Sequence, residues 1–219
     1  MSWRVARDLS SAAEFHARDV PEPASRAAWV CDTTGPALVL GSAQPDARVD
    51  RVACAAAGVE VVRRRSGGGA VLVAPGEVLW VDLVLPARDP LWRDDVGQAF
   101  LWVGEAWAAA LAELGVTPDV HRGALVRNRW SADVCFAGIG PGEVTVAGRK
   151  VVGISQRRTR AAARFQCAAI ARWAPDELLA LLRLDPTERP AAERQLEAVA
   201  APVGVGLDQL LAALLRHLP

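Results

Sequence analysis

Val96, Phe100, Val103, Trp107, Leu111 and Leu114 recur at spacings of four and three, so they share one face of a helix predicted over 94–114. Gly115 ends it. Elsewhere the apolar residues gather in runs short enough to be strands: 27–31, 37–40, 59–62, 70–73, 78–85, 143–146, 150–155 and 165–171. The runs at 70–73 and 78–85 are dense enough to be covered on both faces. Asp32-Thr33-Thr34-Gly35-Pro36 turns the chain between the first two strands, and Ala147-Gly148-Arg149 is a hairpin signal between 143–146 and 150–155. Further helices are predicted over 10–19 and 46–57, and in the tail over 176–182, 191–200 and 207–218. Pro21-Glu22-Pro23 breaks the chain after the first of these. Strands in mixed order with packed helices predict an α+β domain, a mixed β-sheet packed with helices. One domain over 1–219 is expected, with a core at about 27–182 and a helical tail at 175–218.

Composition narrows the function. Apolar residues are 52% of the chain, enough for a sizeable core, and the formal net charge is zero. That balance removes the electrostatic case for a general nucleic-acid binder. Arginine clusters at 63–65 and 157–160 still suit a small anionic ligand. No apolar run approaches a membrane span, and Met1-Ser2-Trp3-Arg4 leads into a polar segment, so a cytoplasmic protein is expected. Cys31, Cys54, Cys135 and Cys167 lack metal-ligand spacing, so no metal site is predicted. His16, His121 and His217 are scattered and read as non-catalytic; Trp80 and Trp107 read as core.

Two segments stand out. Arg63-Arg64-Arg65-Ser66-Gly67-Gly68-Gly69-Ala70-Val71 follows a strand, and its tandem glycines allow close backbone approach to a ligand and an N–H cradle for an anion. It is neither a GxxxxGK[ST] phosphate loop nor a dinucleotide fingerprint, because no lysine and no helix follow. The second is Gly148-Arg149-Lys150-Val151-Val152-Gly153-Ile154-Ser155-Gln156, which holds the only lysine of the chain. An ammonium is a compact point charge, unlike the flat fork of arginine.

Together, Arg-x-Ser-Gly-Gly-Gly-Ala-Val and Gly-x-Lys-x-x-Gly-x-Ser resemble the biotin/lipoate A/B protein ligase family, nearest its lipoate–protein ligase A branch. The likeness runs from about 27 to 182 and includes Gly41-Ser42-Ala43-Gln44. It implies a catalytic domain of that family's fold, acting in protein lipoylation on a carrier-domain lysine. It implies that Arg64, Ser66, Gly67, Gly68, Gly69, Ala70, Val71, Leu72, Gly153 and Ser155 line an acyl and nucleotide pocket, with Gly153 leaving room for the acyl chain. Lys150 would be the central catalytic cation, stabilising charge as an acyl-adenylate forms.

The chain also departs from the ligase pattern. A His-Asp-x-Gly-Asn segment is replaced by Val73-Ala74-Pro75-Gly76-Glu77, and His-His-Gly by Gln166-Cys167-Ala168. The helices after Pro175 look too short for the accessory domain of many ligases, which some relatives obtain as a separate helper subunit. Cys135, fifteen positions before Lys150, is placed like the nucleophile of ligase-like octanoyltransferases, and a thiolate there is a competent acyl acceptor. In the other octanoyltransferase branch the cysteine follows the lysine strand, where Arg164 stands here. Two activities are therefore expected. The first is an ATP-dependent lipoate–protein ligase working through lipoyl-AMP with ATP and Mg²⁺. The alternative is an ATP-independent transfer from octanoyl acyl carrier protein through a Cys135 thioester, with no cofactor. Lipoyl domains of 2-oxoacid dehydrogenases or the glycine cleavage H protein would receive the acyl group, with no nucleic-acid or membrane partner. A third, non-catalytic acyl-binding reading is opposed by the retained Lys150.

Overall fold

The structure, a computed structural model, describes residues 2–219. The chain runs through β1 (Arg4–Ser10), α1 (Ala12–Ala17), β2 (Ala27–Thr33), β3 (Ala37–Leu40), α2 (Arg51–Ala56) and β4 (Glu60–Arg63). It continues through β5 (Val71–Val73), β6 (Val78–Pro86), α3 (Val96–Ala99), α4 (Leu101–Glu113), β7 (Pro118–Val120) and β8 (Val144–Val146). It ends with β9 (Arg149–Arg158), β10 (Ala162–Ile170), α5 (Pro175–Ala180), α6 (Arg189–Val199) and α7 (Leu207–His217). Seven strands form a sheet in the order β1-β2-β6-β10-β9-β8-β7, and three form a second in the order β4-β3-β5. Only β1–β2 is parallel in the larger sheet; in the smaller one β3–β4 is parallel and β3–β5 antiparallel. The expected α+β class, with a mixed sheet, is what forms. Among the described residues no helix is long and apolar enough to cross a membrane.

Strand β6 explains its own unbroken apolar run. Leu79, Val81, Leu83 and Leu85 face the main core with Trp107 and Leu111 of α4 and Leu210 and Leu214 of α7. Trp80 and Val84 point the other way, into a cluster with Val39 of β3, Val62 of β4 and Phe15 of α1. Each face of a strand takes alternate side chains, so a strand covered on both sides reads as continuously apolar. The larger sheet thus lies between a helical layer and a layer made of the small sheet and α1. The site described below lies on the small-sheet side.

Several boundaries move for tertiary reasons. The helix expected over 46–57 is a single 3₁₀ turn, Asp46–Arg48, followed by α2. Val49 between them is extended because it bridges to Leu182, and the Asp50 side chain then caps α2 by accepting from the Val52 and Ala53 amides. The helix expected over 94–114 begins at Val96, capped by Asp95, and divides at Phe100. The helix expected over 10–19 is only α1, started by a Ser11/Glu14 capping box and preceded by β1. The sequence reading missed β1 because it is a mostly exposed edge strand without apolar alternation. It missed β7 because it is three residues long. The hairpin turn stands as expected, with Ala147 and Gly148 both at positive φ.

The helical tail packs into the hydrophobic clusters. Helix α7 contributes Leu210, Leu211, Ala213 and Leu214 to the main core, and α6 contributes Ala192 and Leu196 to the cluster behind the small sheet. Ahead of residue 27, α1 buries Ala12 and Phe15.

Candidate active site

Lys150 reaches the site because β9 is irregular. Val144 of β8 pairs with Val152, but the next residue, Thr145, pairs with Lys150, leaving Val151 as an extra residue. Such a bulge re-aims the side chains beyond it. Val151, Val152 and Ile154 all join the main core, while Lys150, Gly153 and Ser155 border the cavities on the opposite side. A regular strand that kept Gly153 and Ser155 in place would have turned Lys150 into the core.

Lys150, expected as the central catalytic cation, is held by several partners in this structure. Its ammonium lies 2.7 Å from Glu143 Oε2 and donates to the carbonyls of Cys135 and Gly138, each at 3.1 Å. It is only 3% exposed. The Glu143 carboxylate in turn accepts from the Gly140 amide at 2.7 Å and the Ile154 amide at 3.1 Å. In this state Lys150 is one half of a buried ion pair, and it fastens the turn that carries Cys135. The Phe136 ring packs under the ammonium, 4.8 Å from its centroid.

Cys135 opens a one-turn 3₁₀ helix, Cys135–Ala137. Its amide donates to the Ala70 carbonyl at 2.8 Å, and the Ala70 amide donates to Asp133 at 2.8 Å, so the thiol is anchored to the strand that follows the glycines. Cys31, Cys54 and Cys167 are buried and Cys135 is partly exposed. Burial pushes the Cys31, Cys54 and Cys167 thiols up, away from the thiolate a nucleophile needs.

Each glycine of the loop has its own reason. Gly68 has φ +101°, and a Cβ there would lie 2.9 Å from the Arg64 guanidinium and 4.0 Å from Cys135 Sγ. Gly69 is pressed against the 133–134 backbone, so a Cβ would come within 2.5 Å of the Val134 amide. Gly67 faces open space. The Gly67 and Gly68 amides donate to no acceptor among the described residues, which leaves them available to an incoming oxygen. Gln44 closes the loop's other side, donating to Asp133 at 2.9 Å.

Two cavities meet here. A small one, about 50 Å³, is walled mostly by apolar side chains, among them Val39, Val71, Val73, Trp80 and Phe136. An open cleft of about 520 Å³ lies between the glycines and the 125–140 segment and includes Arg127, Asn128 and Lys150. Cys135, Ile154 and Ser155 border both.

The structure brings Cys135, Lys150, Gly67, Gly68, Gly69, Val71, Gly153 and Ser155 to these cavities and changes the part of the others. Arg64 borders the small cavity, but its guanidinium is spent on the carbonyls of Val39, Gly67 and Gly69 and braces the loop. Ser66 lines neither cavity; its hydroxyl bonds Ser155 at 3.0 Å and Gln166 at 3.2 Å. Ala70 is wholly buried, and Leu72 alternates to the far side of β5 and packs behind the small sheet. Gly153 borders the small cavity, and a Cβ there would stand 3.2 Å from the Lys150 stem and 3.3 Å from the Phe136 ring. The sequence reading assigned no site role to Glu143 or Phe136, and named Gln44 only within the family likeness and Gln166 only as a departure from it. It also set aside His16, which lines the small cavity, stacks on Trp80 at 4.7 Å and meets Gln166 at 3.1 Å. Burial, reinforced by the Arg164 and Arg64 cations, lowers the His16 pKa to about 3, so the ring is neutral at pH 7.

The sequence pattern of the lipoyl protein ligase A/B catalytic domain matches residues 13–211. The chain belongs to that family. The Octanoyltransferase LipM of Moorella thermoacetica is 30% identical over 178 residues, 80% of this chain and 63% of that one. The Octanoyltransferase LipM of Carboxydothermus hydrogenoformans is 33% identical over 126 residues, 57% of this chain and 45% of that one. The chain therefore spans under two thirds of the length of these two curated relatives. Among solved structures, the bi-partite lipoate protein ligase from Thermoplasma acidophilum, studied with its E2 lipoyl domain, superposes with TM-score 0.76 at 20% identity. That superposition covers 99% of this chain and 82% of the other, and establishes a shared fold.

Proposed function

We infer that this chain moves an octanoyl group from the thioester of a carrier protein to a lysine of a lipoyl domain, through a thioester on Cys135. The observation that carries this is the position of Cys135. It is partly exposed where an apolar cavity meets an open polar cleft, its carbonyl held by Lys150. The curated relatives named above as octanoyltransferases support the same reading. It takes precedence over the ATP-dependent ligase expected first, whose support is fold likeness.

The chemistry needs two acyl transfers. Sγ of Cys135 attacks the donor carbonyl; its bond to the carrier sulfur breaks, and the carrier leaves as a thiol with the proton Cys135 gave up. The acyl tail occupies the apolar cavity, and the donor's arm lies in the open cleft. In this reading the Gly67 and Gly68 amides, which share the open cleft with Cys135, donate to the oxyanion that forms. The lysine amine of the lipoyl domain then attacks the Cys135 thioester. A C–N bond forms, the C–S bond breaks, and the sulfur takes back a proton.

The test is to incubate the protein with octanoyl carrier protein and a lipoyl domain without ATP, and to weigh both proteins. Wild type gains an octanoyl mass that hydroxylamine removes, and the lipoyl domain becomes octanoylated. Cys135→Ser does neither. Transfer that needs lipoate and ATP and survives in Cys135→Ser would overturn this reading in favour of the ligase.

A further inference from the structure

The apolar cavity ends in a built wall. Strand register gives its direction: Gly153 of β9 pairs with Ala168 of β10, which pairs with Trp80 of β6, and all three border the cavity. From the mouth at Cys135 and Ser155 the cavity therefore crosses two inter-strand steps, about 10 Å, to reach Trp80. There His16 lies against the Trp80 ring at 4.7 Å, and Phe15 meets its edge at 5.5 Å.

The wall is held from two sides. The His16 ring nitrogen Nδ1 accepts from Gln166 Nε2 at 3.1 Å, which leaves the proton of the neutral ring on Nε2. Gln166 Oε1 accepts from Ser66, and Ser66 bonds Ser155. Behind α1, Arg164 donates to the carbonyls of Phe15 and Arg18, both at 2.6 Å, with Nε 2.8 Å from buried Asp82. Arg164 thus clamps both ends of the segment that carries His16 onto the sheet, and Trp80 is fixed by its own indole N–H on Asp82 at 2.7 Å. A longer tail could move this wall only by breaking the Arg164 bonds to the Phe15 and Arg18 carbonyls or the Trp80 bond to Asp82.

We propose that His16 and Trp80 form a length stop, so that the site takes a saturated acyl tail of about octanoyl length and rejects longer ones. The proposal rests on the transferase reading for its substrate, while the wall itself is a property of the cavity. Forcing extra methylenes against a packed wall strains it, whereas a shorter side chain at the wall admits them.

The experiment offers wild type, His16→Ala, His16→Gln and Trp80→Phe an equal mixture of octanoyl, decanoyl and dodecanoyl carrier proteins. It reads the acyl mass on the enzyme and on a lipoyl domain. In parallel, calorimetry measures binding of free octanoate and dodecanoate, and a melt of each variant checks folding. Wild type and His16→Gln, which keeps the reach toward Gln166, prefer octanoyl over dodecanoyl by at least tenfold. His16→Ala lowers that ratio at least tenfold, and Trp80→Phe shifts it the same way if His16→Ala does not fold. Wild type that takes dodecanoyl as readily as octanoyl, or a folded His16→Ala with an unchanged ratio, overturns the length stop. Absence of acyl transfer from every carrier, with octanoate still bound in preference to dodecanoate, overturns the transferase reading and leaves the stop standing.

Discussion

Removing either member of the Lys150–Glu143 pair leaves a charge buried without its partner, and the two losses are unequal. In Glu143→Ala the ammonium keeps only two neutral carbonyls, Cys135 and Gly138, and the Gly140 and Ile154 amides lose their acceptor. In Lys150→Met the carboxylate keeps those two amide donors, so the anion remains partly satisfied. Breaking a buried pair costs about 3–5 kcal/mol. Glu143→Ala belongs at the upper end and Lys150→Met at the lower, and in a chain of this size this corresponds to about 6–20 °C in Tm. The double variant contains neither charge. Its cost falls below the sum of the singles by about 2–3 kcal/mol, close to the cost of Glu143→Ala alone. Urea unfolding of the four proteins at pH 7, with equal slopes, measures this directly. Single costs that add to within about 0.5 kcal/mol would show that the two groups do not depend on each other and refute the ion-pair argument.

His16 makes stability depend on pH. Its folded pKa of about 3 lies below the ordinary 6.5, so below pH 6.5 the unfolded chain takes a proton that the folded chain refuses. The contribution is complete above pH 6.5 and is lost as pH falls toward 3, amounting to about 4–5 kcal/mol over that window. His16→Gln flattens the wild-type slope of unfolding free energy between pH 6.5 and 4; an unchanged slope would contradict the burial of a neutral ring. In the glycine loop, Gly69→Ala forces a Cβ onto the 133–134 backbone and costs at least about 1–3 kcal/mol. Gly67→Ala meets open space and stays within about 0.5 kcal/mol of wild type in the same denaturation assay. Equal costs at the two positions would mean the loop does not press on that segment.

What the sequence determined was local or compositional. The spacing of Val103, Trp107 and Leu111 specifies the apolar face of α4, and the apolar density of 78–85 anticipates a strand covered on both sides. The two glycine-bearing motifs marked the family, because positive φ and close backbone approach leave a trace that only glycine can supply. The tertiary structure decided everything that depends on which residues meet. Val49 is extended because Leu182 pairs with it, a contact 133 residues away that no local propensity contains. Lys150 faces the site because one extra residue in β9 turns it there, and it is paired because the hairpin brings Glu143 beneath it. His16 looked like a stray histidine because its neighbours Trp80, Arg164 and Gln166 lie on two other strands. A side chain's charge and exposure are set by the groups folded around it, and those come from distant parts of the chain.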